Sequence, residues 1–420
     1  MPEFYNEQLL VGGIESTFRT PGAVDLMLDT FDVGQVTLTP DITRLTRNNN
    51  RPTMTPLASK VGRRRQSWSF PMDIAGTGLT DGSAPPRWGK FLRMCGMAQT
   101  AYTTPTIAVA RANPGNTKKG VVAAAHGTSA YTGTLPRVIV VTVTAAAQVS
   151  VYSQDLPNGD PVYNQTGVAV TSATAFDGPQ GTKLQLTFTA PLVVGDSYFF
   201  LAVPRGHLYT PVADPDSVES GYLYHYTASK RHLMAGVRGT FSIAATAGEL
   251  ASATFNMTGD YANPTDLAFP NPGTYSYGNA PEPAMVELAD VSLNGRTLAC
   301  PTTFGVNLQG NVAARLCANA AGANDGSMLL SRAPTATFNM DSVPVATMNV
   351  WQQMIAGTQL LMHGYIGQSP GNCVMLLANG QITAAPYANL ESMRKNDVTL
   401  TLCGTDTSVG SNDELMIFVG

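Results

Sequence analysis

The side chains best suited to chemistry are few and scattered. Five histidines, His126, His207, His225, His232 and His363, stand apart from one another. None belongs to an HExxH pattern or has a carboxylate at a metal-ligand spacing. His225 and His232 lie on strand-like segments among basic and aromatic residues, a setting for packing rather than ligation. The five cysteines, Cys95, Cys300, Cys317, Cys373 and Cys403, are odd in number and form no CxxC. They read as free thiols of a reducing compartment. The P-loop and dinucleotide glycine patterns are absent. A glycosidase pair of carboxylates needs only to meet in space, and no feature of the sequence favours one. The expectation is a non-enzyme with no catalytic, metal or cofactor site.

Composition narrows the classes further. Charged residues make up 13% of the chain, well below the usual share, and the net charge is −4. That leaves no basic stripe for wrapping nucleic acid. A charge-poor surface suits a subunit covered by copies of itself, because interface cores are depleted in charge. The N-terminus lacks the basic and apolar regions of a signal peptide. No apolar run reaches membrane-spanning length, since 135–151 is interrupted by Arg137 and Gln148 and alternates like strands.

The elements that organise the chain lie between residues 67 and 96. Trp68, Phe70 and Met72 alternate with Ser67, Ser69 and Pro71, the period of a half-buried strand. After a Gly/Pro loop, Trp88, Phe91, Leu92 and Cys95 recur at i, i+3, i+4 and i+7, one apolar stripe on a short helix ending near Gly96. The same order returns at 335–358. Ala336, Phe338 and Met340 share a strand face, and Trp351, Met354, Ile355 and Thr358 repeat the helical spacing. Asp73 and Asp341 end the two strands and read as turn or cap residues. A repeat of this kind predicts a duplicated architecture. Ala253-Thr-Phe-Asn-Met257 is identical to 336–340, but no helix follows it.

Four other stretches set the organisation. A possible short helix lies near Ala23 to Leu28. Residues 41–66 are polar and basic, with Arg44, Arg47, Arg51, Lys60, Arg63, Arg64 and Arg65, and read as a long projecting loop. Residues 311–331, with Asn311, Arg315 and Asp325, occupy the equivalent place in the second half. Residues 104–206 form short alternating strands between turn signals, the pattern of an immunoglobulin-like sandwich inserted into a loop. The Pro-rich stretch 263–283 reads as a linker. The predicted organisation is mainly β: 1–103 with 207–283 as a first unit, 104–206 as the insert and 284–420 as a second unit.

Three stretches of the first unit carry a family resemblance. They are Ser67 to Asp73 with Gly76-Thr-Gly78; Pro86 to Gly96; and Tyr209-Thr-Pro-Val212 through Leu223-Tyr224, Lys230 to Leu233 and Gly236 to Ser242, on to Ala247-Gly-Glu249 and Phe255-Asn-Met257. Together they cover about a third of the chain, and this unit resembles the major tail tube proteins of long-tailed bacteriophages. The resemblance implies a β-sandwich or small barrel flanked by one helix, closure into rings, and stacking of rings into a hollow tube through which DNA passes without specific binding. It implies a place in the virion tail after assembly in the host bacterial cytoplasm, no cofactor, and no membrane insertion. Implied partners are further copies, a tape measure protein in the lumen, the tail tip and a tail terminator. The two Trp-led helices would be the flanking helices. The basic stretch and the 311–331 stretch would be arms reaching an adjacent ring, with the insert projecting outward. Two units per chain predict three chains per ring with near-sixfold symmetry. The alternatives are a type VI secretion-like tube protein and a carbohydrate-binding β-sandwich using Tyr131, Tyr152 or Tyr163 for stacking.

Overall fold

Burial in the strands follows the alternation written in the sequence. Gln66, Trp68, Phe70 and Met72 are buried, while Ser67 and Ser69 between them are only half-buried. The computed structural model describes residues 7–420 apart from 48–54, 56, 119, 190, 279–280, 321–322, 391–392 and 406–411. The first part comprises β1 (Gln8–Ile14), β2 (Thr30–Phe31), β3 (Thr37–Leu45), β4 (Lys60–Asp73), α1 (Gly89–Met94) and β5 (Met97–Tyr102). Then come β6 (Thr106–Ala112), β7 (Val122–Ala125), β8 (Arg137–Ala145), β9 (Gln148–Ser153), β10 (Tyr163–Ala169), β11 (Thr174–Asp177), β12 (Lys183–Thr187) and β13 (Ser197–Val203). Next are β14 (Gly206–Pro211), β15 (Gly221–Thr227), β16 (Lys230–Thr246), β17 (Ser252–Tyr261), β18 (Thr265–Asp266), β19 (Ser292–Leu293) and β20 (Arg296–Thr297). The remainder holds β21 (Thr303–Asn307), β22 (Gly310–Leu316), β23 (Asn324–Arg332), β24 (Thr335–Asp341), α2 (Val350–Ala356), β25 (Gln359–Ser369), β26 (Asn372–Ala384), β27 (Tyr387–Leu390), β28 (Met393–Leu402) and β29 (Leu415–Val419). The protein is mainly β.

One antiparallel ladder runs through both halves in the order β3–β4–β17–β16–β21–β24–β28. The far edge of β28 is shared by the end of β26 and by β27. Phe70 faces Phe255 across β4 and β17, and Phe338 faces Val398 across β24 and β28. The order β3–β4–β17–β16 therefore returns as β21–β24–β28–β27. A second run, β5–β14–β29–β26–β25, ties the halves together again through the C-terminal strand.

The core does not divide at 263–283. Trp68, Phe91, Phe241 and Phe255 belong to the same apolar cluster as Phe338, Met362, Leu376 and Ile417. Residues 106–203 build a five-stranded sheet, β10–β9–β8–β13–β6, and a three-stranded one, β11–β12–β7, around a separate core that includes Val141, Val151, Leu184 and Phe200. The segment leaves from β5 and returns in β14, and those strands pair directly, Tyr102 opposite Gly206.

Three local expectations differ from the structure. The segment Ala23 to Leu28 is a turn, because Asp25 draws the local backbone to itself. Its carbonyl accepts from the N–H groups of Leu28 and Asp29, and its carboxylate accepts from Met27 N. The basic stretch 41–66 is a hairpin in its described part, with Asp41 opposite Arg65, Ile42 opposite Arg64 and Arg44 opposite Val61. Likewise, 311–331 is largely the hairpin of β22 and β23. The pentapeptide shared by 253–257 and 336–340 falls on strands with different places in the ladder: β17 is the partner of β4, whereas β24 occupies the place of β4.

Candidate assembly edges and arms

The groups with catalytic potential do not gather into one site: His207, His225, His363, Cys95 and Cys373 are buried, whereas His126 is half-buried and Cys300 is exposed. His363, enclosed, lies with Nδ1 2.8 Å from Ser292 Oγ, and burial pushes its pKa down to about 3. His225 is held down to about 4 by burial and, secondarily, by the charge of His232 on the opposite strand. His207 is lowered by burial and lies 3.1 Å from Gln99 Nε2, while His126 Nδ1 meets Thr128 Oγ1 at 2.9 Å. Burial raises the thiols of Cys95 and Cys373, the latter to about 12, so neither is a thiolate at neutral pH. All five cysteines are free. Among the described residues, no group of three or more His, Cys, Asp or Glu could hold a metal ion.

The two Trp-led helices sit differently. Trp88 occupies the N-cap of α1, and its Nε1–H donates to Ala75 O at 2.9 Å. Phe91 lies against the rings of Phe31, Phe70 and Phe255 at 4.3, 5.1 and 5.1 Å, and Leu92 and Cys95 are fully buried beside it. Gly89 lets the helix approach Tyr209, whose hydroxyl oxygen would lie 2.0 Å from any Cβ there. In α2, Trp351 and Met354 are half-buried against the main core, and Trp351 lies 5.2 Å from the Tyr387 ring. Ile355, expected to pack with them, is instead 77% exposed. Phe31 lies over Phe91 of α1, whereas Ile355 leaves one side of α2 open.

The two arms also differ. In the first, Arg63 and Arg65 share Asp41, and the Arg65 guanidinium chiefly holds that carboxyl below its usual range. Arg44, Arg47, Lys60 and Arg64 are exposed, as are Ile42, Leu45 and Val61. Arg51 lies outside the described residues. The second arm is tied to its own chain. Arg315 pairs with Asp325 at 3.4 Å, and Asp325 pairs with Arg19 at 3.0 Å. Arg19 also pairs with Asp260, which in turn accepts from Asn324. Arg238 donates to Ser327 O at 2.7 Å and lies over the Phe18 ring. Asn311, opposite Ser331, is exposed. Gln309, with φ of 47°, makes the break that lets this arm leave the line of β21.

Two strand edges complete the picture. Among the described residues, β3 pairs with β4 alone and β27 with β28 alone. Tyr387 on β27 is 54% exposed and is stacked by Arg394.

The family profile described as phage tail tube protein matches residues 6–385. The chain belongs to that family. It is a structural protein of the virion tail, and tail tube proteins assemble with themselves into a tube and with other tail proteins. The matched span runs through 106–203 and ends just before β27. Comparison with curated proteins gave no match. Sequence reasoning on this tail tube protein missed the Arg19–Asp260–Asp325 chain and the bare edge of β27. The first joins residues some 240 and 300 positions apart. The second had one signal, Pro386, which interrupts the ladder just before β27.

Proposed function

We propose that three copies of this tail tube protein close a ring of near-sixfold symmetry, and that such rings stack into the conduit for DNA. Residues 1–103 with 207–283, and residues 284–420, act as tandem tail-tube units, with 104–206 as an inserted immunoglobulin-like domain on the outside. The observation that carries this reading is the strand order found twice in one chain and joined to itself at β16 and β21. A chain that already contains one joint between similar halves needs three copies to make six positions. The net charge of −4 fits a lumen that does not hold phosphates. Free thiols fit assembly in the host cytoplasm. The first arm, with exposed cations and apolar side chains, is the better ring-to-ring contact, since the second is engaged within its chain. The tape measure, tail tip and terminator would meet the tube at its lumen and ends. The protein acts as a scaffold, without catalysis. Native mass measurement and electron microscopy of the purified chain test this: rings of three chains are expected, and rings of six whole chains would overturn the stoichiometry.

A further inference from the structure

The joint inside the chain specifies a joint between chains, residue by residue. At the internal joint, β21 lies antiparallel to the end of β16, with Ile243 opposite Val306, Ala244 opposite Gly305 and Ala245 opposite Phe304. Each side has a counterpart that carries no neighbour among the described residues.

The registers define those counterparts. Across β4, Leu38 faces Trp68 and Thr37 faces Ser69; across β24, Val306 faces Ala336 and Gly305 faces Thr337. With Phe70 matched to Phe338, Leu38 takes the place of Val306 and Thr37 that of Gly305. On the other side, Ile243 faces Ala253, which faces Met72. Tyr387 faces Asn396, which faces Met340. Met72 and Met340 are matched, so Tyr387 takes the place of Ile243 and Ala388 that of Ala244.

We infer that β3 of a second copy adds to the outer edge of β27, antiparallel, with its Leu38 opposite Tyr387, its Thr37 opposite Ala388 and its Val36 opposite Asn389. The inference rests on the ring reading and names its interface. The β27 edge carries apolar side chains for a partner to cover: Tyr387, Met393 and Ile355 around it are exposed. Strand addition also satisfies backbone groups that an open edge leaves to water.

The joint between chains is looser than the one within. Leu308 N–H donates to Phe241 O at 3.0 Å in the internal joint, and Pro40 stands at the matching position, where it has no N–H to give. A Cβ on Gly305 would lie 2.5 Å from Ile243 O, and Thr37 carries such a Cβ, so the strands must separate slightly there. Both changes suit a contact made after folding.

The same hydrogen bond fixes which pairs are close. Position 241/308 is hydrogen-bonded, so alternation makes 243/306 hydrogen-bonded and 244/305 not. Thr37 and Ala388 thus form a non-hydrogen-bonded pair with Cα atoms about 4.5 Å apart, within disulfide reach.

The test uses the full-length chain carrying Thr37→Cys and Ala388→Cys, assembled and mildly oxidised, then run under denaturing, non-reducing conditions. Covalent dimers and closed trimers are expected, about tenfold above the yield from Thr39→Cys with Ala388→Cys, which is two residues out of register. Each single variant should stay monomeric. Rings that form without this cross-link, or with the shifted pair favoured, would overturn the register while leaving the ring reading intact. A wild-type chain that forms no rings would overturn both.

Discussion

Helices α1 and α2 begin from the same pattern and end in different states. Each opens at a tryptophan with apolar residues three and four positions on. In α1 the stripe is enclosed, and the helix has no side-chain cap. In α2 the stripe is half open, and the helix carries its own local stabilisers: Asn349 Oδ1 accepts from Gln352 N at 2.9 Å, and Gly357 takes the left-handed C-terminal position. A six-residue helix has too few internal bonds to persist alone. The buried helix relies on tertiary packing, and the open one compensates at its ends.

The largest expected effect tests the buried side. Phe91→Ala removes a ring held by three others and should cost about 3–5 kcal/mol, read as a lowered denaturation midpoint or loss of soluble protein. A loss equal to that of Met354→Ala would break the contrast.

Acid should weaken both halves, since each holds a histidine kept neutral by burial. The unfolded pKa is about 6.5, and the folded values are about 4 for His225 and about 3 for His363. As pH falls below 6.5 the unfolded chain takes up the protons first, so stability present at pH 7 is lost down to the folded values. The loss by pH 4 is on the order of a few kcal/mol. Asp290, raised to about 6 by burial, works in the opposite sense, favouring the folded state more as pH falls from 6 towards 4. Thermal melts of His363→Asn should show a flatter slope below pH 6.5 than wild type, with the His225 contribution remaining.

Asn349→Ala removes the cap of α2 and should cost about 1 kcal/mol by urea titration. No equivalent loss is available at Trp88, whose side chain does not cap α1. The smallest effect sharpens the comparison most. Ile355→Ser should change the stability of the dissociated chain by no more than about 0.5 kcal/mol, while lowering the yield of assembled tubes seen by sedimentation.

This contrast marks how far the sequence could be read. Trp68, Phe70 and Met72 announced a half-buried strand because alternation is a local property. The spacing of Trp351, Met354 and Ile355 announced a helix, but not which of them would be covered, because that depends on distant residues packing over the helix, as Phe31 does over Phe91. Arg19 and Asp260 could not be paired by eye: their meeting depends on the path of every strand between them. The identity of 253–257 with 336–340 even pointed to the wrong equivalence. Strands paired side by side in a ladder, with the same face on one core, meet similar packing demands and can reach the same residues without sharing a place in the fold.

The segment 104–206 is spliced into the first half but packed on the second. Val138, Val140, Leu201 and Val203 share an apolar cluster with Leu361, Leu377, Met416 and Phe418, and Tyr365 donates to Pro136 O. Gln154 donates to Asp290 O beside it. Mechanically this is a diagonal brace: it adds a further tie between two halves already joined along one ladder and through one core. A filament built from braced pieces cannot absorb curvature inside a piece. The bending of such a tail, and its persistence length, are then set by the compliance of the contacts from one layer to the next.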